Sequence, residues 1–247
     1  MSRQKRTWIF LGCFFRSYMI VAAHNRSGLQ NIAFIYAIEP ALVALYGPGP
    51  DLAKARARYA GNYNCHPFFT PLLLGVLLRM EMAIADGRIE IQVLESLKDA
   101  TANTLSAIGD SFFTGSLLPF WSLTVACLLL AGLPFAAISL TFSAFVLLQF
   151  FKISTFTLGL RKGMSVLLLL RRFDLINWGE HIKAVNAVLL VVFLWLALPG
   201  ASPFAWLGTG LYLLLAGWII GQRHVPRISV ALALMAFAVA LHMTERL

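Results

Sequence analysis

The second half of the chain consists mainly of long apolar runs that carry almost no charge. Because a helix needs about 20 mainly apolar residues to cross a bilayer, these runs are typical of transmembrane helices. Only 13% of the residues are charged, against about 25% in soluble domains. The runs predict about five spans, at residues 112–131, 134–151, 184–199, 204–221 and 228–243. We therefore expect an all-α membrane protein.

Basic residues outnumber acidic ones by 20 to 11 and lie beside the apolar runs. This placement favours cytoplasmic connections under the positive-inside rule over a groove that binds nucleic acid. Counting the spans puts the N-terminus in the cytoplasm and the C-terminus outside. The basic residues expected on the cytoplasmic side are Lys152, Arg161, Lys162, Arg171, Arg172, Lys183, Arg223 and Arg227.

The N-terminal residues mix apolar and charged positions, so we divide the chain into a region 1–111 and a transmembrane region 112–247. Segments 33–47 and 66–85 are apolar but are interrupted by prolines and charges. A charge at the bilayer centre costs at least about 2.5–3.5 kcal/mol. Such segments therefore favour interfacial or re-entrant helical hairpins that pack on protein or line a cavity. The alternative is an amphipathic platform that faces the cytosol.

The chain starts with basic residues followed by apolar ones, as a signal peptide does. The apolar part ends at Arg16, and no small-residue cleavage site follows. We expect this segment to be retained at the cytoplasmic side or at the membrane interface.

A series of short markers runs through the N-terminal region in a fixed order. They are Phe15-Arg16-Ser17, Asn25, Leu29-Gln30-Asn31, Tyr36, Pro40, Leu45-Tyr46, Tyr59-Ala60-Gly61-Asn62-Tyr63-Asn64-Cys65-His66-Pro67, Gly75, Met80-Glu81 and Ile108-Gly109-Asp110-Ser111. Their order and spacing over about 110 residues resemble the IID component of the mannose/fructose/sorbose family of sugar phosphotransferase systems. In the second half the resemblance rests on hydropathy and on Gly159 and Gly163.

The chain departs from the pattern of this family at several markers. The segment 103–107 reads Asn-Thr-Leu-Ser-Ala where the family has Gly-Pro-Leu-Ala-Gly. Cys65 replaces a threonine, Met82 replaces a glutamate, and the chain is shorter than is usual for the family. These departures favour an alternative function, a scaffold or regulatory membrane subunit that keeps the fold without transporting sugar.

The resemblance implies a multi-pass subunit of the bacterial inner membrane that forms a sugar path with a IIC subunit. A hexose-type sugar would then receive its phosphoryl group from a phosphorylated IIB subunit, which is itself supplied by IIA. Arg161, Lys162, Arg171 and Arg172 would offer IIB a docking face. We expect no cofactor, metal or catalytic residue in this chain. Membrane lipid is expected to contact it. An unrelated permease is a further alternative, whereas an ATP-driven pump is disfavoured because no phosphate-binding loop is present.

Two polar residues precede the apolar segment 66–85. Asn64 and His66 offer both donors and acceptors to sugar hydroxyls. Pro67 favours an extended His66 at a helix entrance. Asn64 is thus either a substrate-binding residue or the cap of the following helix.

Three further residues complete the set of substrate-binding candidates. Glu81 lies in an apolar stretch and needs a partner, either a hydroxyl-rich ligand, the IIC subunit or interfacial water. Asp110 precedes the first long apolar run, where it could cap a helix or expose a carboxylate at membrane depth. Gln30 is a polar residue in apolar surroundings.

Overall fold

The computed structural model describes residues 3–198 together with residues 208, 210 and 211. In these residues the helices are α1 (Arg3–Arg16), α2 (Asn31–Tyr46), α3 (Pro50–Ala57), α4 (Thr70–Ala85), α5 (Ile91–Gly109), α6 (Leu118–Leu130), α7 (Pro134–Lys162), α8 (Val166–Arg172) and α9 (Leu175–Ala197). A π-helical segment, Asp110–Leu117, joins α5 to α6, and 3-10 turns cover Ser17–Val21 and Gly163–Ser165. The prediction of an all-α fold is confirmed for these residues.

The chain divides into two compact units, Met1–Leu196 and Ala197–Leu247. Almost all described residues belong to the first. Three helical stretches in the described residues are long and apolar enough to cross a membrane: Ile91–Leu130, Pro134–Arg172 and Leu175–Ala197. They contain nearly all of the predicted spans 112–131, 134–151 and 184–199, whereas 204–221 and 228–243 lie almost entirely outside the described residues.

Each helix that carries a predicted span extends beyond that span. We expected Lys152 in a cytoplasmic connection, but α7 continues through it to Lys162. The residue is only 9% exposed, and its ammonium lies 4.4 Å from the ring centre of Tyr18 and 5.2 Å from that of Phe68. Two aromatic faces thus accommodate a cation that hydropathy alone would place in water.

Among the described helices, α4 and α7 share the most extensive contact, and their backbones approach closely. A Cβ atom added to Gly75 would lie 2.4 Å from the carbonyl oxygen of Phe156, and one added to Gly159 would lie 2.6 Å from that of Leu72. Both glycines therefore face each other's helix with no room for a side chain, as small residues do in membrane helix pairs. This contact attaches the N-terminal helices to a membrane span.

Helix α4 is the centre of the N-terminal half. Every residue from Thr70 to Leu78 is buried, so the helix is apolar and covered on all sides over that length. A helix that is hydrophobic all round belongs in a core. Helices α1, α2 and α5 and the 3-10 turns surround it together with α7.

Pro40 interrupts the hydrogen bonding of α2. Because proline has no N–H, the carbonyl of Tyr36, four residues earlier, loses its helical donor. The Nη1 atom of Arg16 donates to that carbonyl at 3.3 Å, and the guanidinium lies 4.6 Å from the centre of the Tyr36 ring. Three separate sequence markers, those of Arg16, Tyr36 and Pro40, thus take part in one interaction between α1 and α2.

Glu81 lies in a buried network within the protein. Its side chain is fully buried and that of Arg58 is 5% exposed. Arg58 donates from Nη2 to Oε2 at 2.6 Å and from Nε to Oε1 at 3.2 Å. The hydroxyls of Tyr46 and Tyr59 donate to the same carboxylate at 2.5 and 2.7 Å. Burial raises the pKa of Tyr59 well above its ordinary value, which keeps this donor protonated.

This network links α2, the end of α3 and α4. The partners of Glu81 are side chains of this same chain, whereas we expected a hydroxyl-rich ligand, the IIC subunit or interfacial water. This pairing could not be predicted from the sequence, because the partners of Glu81 lie 22 to 35 residues away along the chain.

Replacing Gly159 with alanine should loosen the contact between α4 and α7. The added methyl group would overlap the backbone of α4, so we expect the free energy of unfolding to fall by about 1–3 kcal/mol. Gly12→Ala is the matched control, since a Cβ there meets no atom within 4 Å. It should leave the stability unchanged or raise it by about 0.5–1 kcal/mol. Thermal unfolding in detergent measures both, and equal stabilities would contradict the assigned contact.

The variant Glu81→Gln tests the buried network. It removes one charge and leaves that of Arg58 buried, which typically costs about 3–5 kcal/mol. Glu39→Gln is the control, because its partner Arg56 is half exposed, and this variant should unfold almost as the unchanged protein does. Unfolding in detergent with a chemical denaturant compares the two, and equal losses would show that burial of the Arg58 pair has no special weight.

Candidate functional site

The segment between α3 and α4 is held in place by the turn that precedes α2. The N–H of Gln30 donates to the carbonyl of Tyr63 at 2.9 Å, and the N–H of Tyr63 donates to that of Gly28 at 3.2 Å. The side chain of Gln30 accepts the N–H of Cys65 at 3.1 Å. Gln30 therefore holds residues 63–65 through hydrogen bonds to their backbone, and its own side chain is buried.

Asn64 extends from this segment towards α5. Its Nδ2 atom lies 3.2 Å from Oγ of Ser106, to which it donates a hydrogen bond. It lines a hollow of about 370 Å³ together with Asn62, Asp99 and Asn103, and with Leu29 and Ala102. Amide and carboxylate groups around a hollow of this size can exchange hydrogen bonds with a ligand rich in hydroxyls.

His66 packs tightly against the junction of α5 and the π-helical segment. Its Nδ1 accepts the N–H of Phe68 at 3.2 Å, so the proton belongs on Nε2, which lies 3.2 Å from Oγ1 of Thr114. The imidazole stacks on Phe113 with ring centres 5.3 Å apart. A Cβ on Gly109 would come within 2.3 Å of Cβ of His66. Gly109 of the Gly-Asp-Ser marker therefore has to be a glycine, because His66 occupies the space that a side chain would need.

Burial lowers the pKa of His66 below its ordinary value. The negative charge of Asp110 opposes this shift and the positive charge of Lys152 adds to it. The imidazole is therefore neutral near neutral pH, with one donor and one acceptor in use.

Asp110 is exposed on the helix beside His66. The interpretation of Asp110 as a helix cap was wrong, because helical structure continues from Ile91 to Leu130 without a start at this position. The interpretation of Asn64 as a cap was wrong as well. Helix α4 begins at Thr70, preceded by Phe69, and no side chain caps it.

Two backbone carbonyls of the π-helical segment accept hydrogen bonds from side chains. The carbonyl of Ser111 accepts the hydroxyl of Ser116 at 2.9 Å. The carbonyl of Ser116 accepts Nδ2 of Asn186 on α9, also at 2.9 Å. Gly179 on α9 faces the same segment, since a Cβ there would lie 3.1 Å from the Ser116 hydroxyl. The π-helical segment is thus held by contacts with α9, a helix long and apolar enough to span a membrane.

The structure brings four of the five candidates together around residues 62–66. Asn64 lines the hollow, Gln30 and His66 hold the segment, and Asp110 lies beside His66. Glu81 is apart, eleven residues along α4 from Thr70, or about 16 Å of helix. Both of its oxygens are occupied by protein donors.

Sequence reasoning missed Asp99, Asn103 and Ser106. The last two lie in the segment that departs from the family pattern, and this departure was the available signal. Nothing in the sequence marked Thr114 or Asn186 as part of the site, because single polar residues in apolar runs are common. In the part of the chain that the structure describes, no three histidine, cysteine or carboxylate side chains converge as metal ligands.

Residues 7–194 match the family model described as the IID component of the mannose/fructose/sorbose family of phosphotransferase systems. A fructose permease IID component of Bacillus subtilis is 30% identical over 62% of this chain and 56% of its own length. The mannose-specific EIID component of Escherichia coli K12 is 28% identical over 49% of this chain and 44% of its own length. The matches thus span about half the length of these curated relatives.

Two solved structures share the fold. One, described as the structure of a membrane protein, has a TM-score of 0.73 at 19% identity and covers 96% of both chains. The other is a mannose transporter ManYZ in complex with microcin E492, with a TM-score of 0.53 at 18% identity. It covers 99% of this chain and 97% of its own.

The family model covers well over half of the chain and includes both the segment 62–67 and the Gly-Asp-Ser marker that packs against it. This chain therefore belongs to the family of IID components of the mannose/fructose/sorbose phosphotransferase systems.

Proposed function

We propose that this chain is the membrane subunit that forms the sugar path of a phosphotransferase transporter together with a IIC subunit. The observation that carries the proposal is the match of residues 7–194 to the IID family, combined with the convergence of four of the five candidate residues around residues 62–66, beside one polar hollow. The printed names of the relatives, which include fructose and mannose components, favour a hexose as the substrate.

The exposure of the candidate residues distinguishes those that can contact a sugar from those that hold the protein in place. Asn64 is half-buried on the hollow and Asp110 is exposed, so both can reach sugar hydroxyls. Gln30, His66 and Glu81 are buried and already hydrogen-bonded. We assign these three to holding the segment and α4 in place. Region 1–111 then builds the site and region 112–247 spans the membrane.

Phosphoryl transfer is assigned to partner subunits. Phosphorylated IIB, supplied by IIA, would phosphorylate the sugar on the cytoplasmic side of the bacterial inner membrane, and the charged product would not return. A basic surface for IIB is available because Arg161, Lys162, Arg171 and Arg172 are all exposed. Under the positive-inside rule, their charge supports a cytoplasmic position for this side of the protein and for the N-terminus, with the C-terminus outside.

Deleting the gene tests the function directly. In cells that contain the IIA, IIB and IIC partners, deletion should abolish uptake of labelled hexose as sugar phosphate, and the intact gene should restore it. Unchanged uptake would favour the scaffold or regulatory subunit. Uptake of unmodified sugar that depends on this chain alone would indicate a permease of another kind.

The role of Asn64 is separable from its contact with Ser106. Asn64→Ala should raise the half-saturating sugar concentration about 3- to 10-fold, the effect of one lost hydrogen bond. Ser106→Ala removes the protein partner of Asn64 but leaves its amide, so a smaller change is expected. Uptake kinetics at equal amounts of membrane-inserted protein measure both. Equal effects of the two variants would make Asn64 a structural residue.

A further inference from the structure

A second hollow, of about 470 Å³, lies between α5 and the connection from α7 to α9, outside the site described above. One wall is a face of α5 that runs from Leu97 to Ile108. The other wall is formed by Met164, Leu167 and Leu170 together with the first residues of α9. We call this feature the α5 groove.

The lining of the α5 groove comes from all three helical stretches that are long and apolar enough to cross a membrane, Ile91–Leu130, Pro134–Arg172 and Leu175–Ala197. Only residues 173 and 174 separate the second stretch from the third. A short connection between two spans lies near the membrane surface, at the level of the lipid headgroups. One end of the groove therefore lies where headgroups are available.

The walls of the groove offer mainly apolar surface. Leu105 at its floor is only 1% exposed, whereas Ile176 at its rim is 53% exposed, so the groove is closed below and open above. The hydroxyl of Thr104 donates to the carbonyl of Ala100 at 2.8 Å and is thus already in use. A lining of this kind accommodates an apolar chain, and the few remaining polar groups fix its orientation.

The groove carries two opposite charges at one end, Arg171 and Asp174. The N–H of Asp174 donates to the carbonyl of Arg171 at 3.3 Å, so the two residues are neighbours in space. Within residues 3–198 the exposed guanidinium of Arg171 has no ion pair or hydrogen bond. Asp174 accepts Nδ2 of Asn177 at Oδ2, and its other oxygen remains open to a second donor.

We propose that the α5 groove binds phosphatidylethanolamine. The planar fork of Arg171 holds the phosphate, Asp174 accepts an N–H of the ammonium group, and an acyl chain lies between α5 and α8. A purely anionic headgroup would be repelled by the carboxylate, and a choline headgroup has no N–H to donate. This proposal is independent of the transport function, since it concerns a surface apart from the sugar site.

Native mass spectrometry of the purified full-length chain in detergent tests the headgroup. Phosphatidylethanolamine should bind at least about threefold more tightly than phosphatidylcholine or phosphatidylglycerol with the same acyl chains. Arg171→Ala should weaken phosphatidylethanolamine binding about three- to fivefold, the effect of one exposed ion pair. Arg172→Ala is the matched control, because Arg172 is exposed next to Arg171 but does not line the groove, and binding should stay almost unchanged.

Two further variants separate the headgroup from the acyl chain. Asp174→Asn keeps a side chain that tolerates the positive φ of 45° at this position, and it should remove the preference for phosphatidylethanolamine over phosphatidylcholine. Ala100→Leu narrows the groove and should weaken the binding of both lipids alike. Ala136→Leu makes the same change on an exposed surface of α7 and should weaken neither.

Several outcomes would overturn the assignment. Equal binding of the three lipids, or equal effects of Arg171→Ala and Arg172→Ala, would indicate unspecific adhesion. Tighter binding of phosphatidylglycerol would indicate a basic site that ignores Asp174. Glycerophosphoethanolamine has no acyl chains, so competition by it as strong as by the lipid would identify a soluble ligand. Loss of phosphatidylethanolamine when the IIC subunit copurifies would show that a protein covers the groove.

Thermal unfolding of each variant in the same detergent separates lost binding from lost folding. The two arginine variants change exposed side chains, and both should unfold as the unchanged chain does. If Ala100→Leu does not fold, the three lipids and the two arginine variants still decide for or against the proposal.

Discussion

The close approach of α4 to α7 at Gly75 and Gly159 is the constraint on which the arrangement of the N-terminal half depends. Helix α4 is short and buried, and α7 belongs to a membrane span. Because their backbones touch, the position of α4 is fixed relative to the bilayer, and so is the segment that leads into it. The Glu81 network then fixes α2 and the end of α3 to the same helix.

The candidate site follows from a second close contact, between His66 and Gly109. The histidine brings the connection before α4 against α5 at the start of the π-helical segment. Gln30 holds the connection from the other side. The hollow beside Asn64 is therefore bounded by backbone that has few alternative positions. A rigid boundary of this kind supports binding of a small ligand, since the protein does not have to be ordered when the ligand arrives.

The sequence predicted the helices better than their ends. Apolar runs located the three spans in the described residues, but the runs were cut at Lys152 and Lys183, where the helices continue. Lys152 lies between aromatic rings, and Lys183 pairs with Glu180 one turn away at 2.7 Å. Hydropathy counts each of these charges as if it were in water. The Lys183 pair is local, whereas the ring contacts of Lys152 depend on the packing of distant segments.

The residues of the candidate site could be predicted from the sequence, but their contacts could not. The order of the markers indicated that Gln30, Asn64, His66 and Asp110 matter, and these residues do converge. Their individual tasks were not predictable, because they depend on contacts such as that of Asn64 with Ser106, 42 residues away. The bracing of the π-helical segment by Asn186 joins residues 70 positions apart. No periodicity in the sequence reports such a pair.

The interaction of Arg16 with the Tyr36 carbonyl makes two distant positions interdependent. With Pro40 present, loss of the arginine would leave the Tyr36 carbonyl without its side-chain donor. If a residue with a backbone N–H replaced Pro40, that N–H would donate to the Tyr36 carbonyl as in an ordinary helix. The hydrogen bond from Arg16 would then no longer be needed. Evolution can therefore drop the pair most easily in one order, with the proline replaced first and the arginine afterwards.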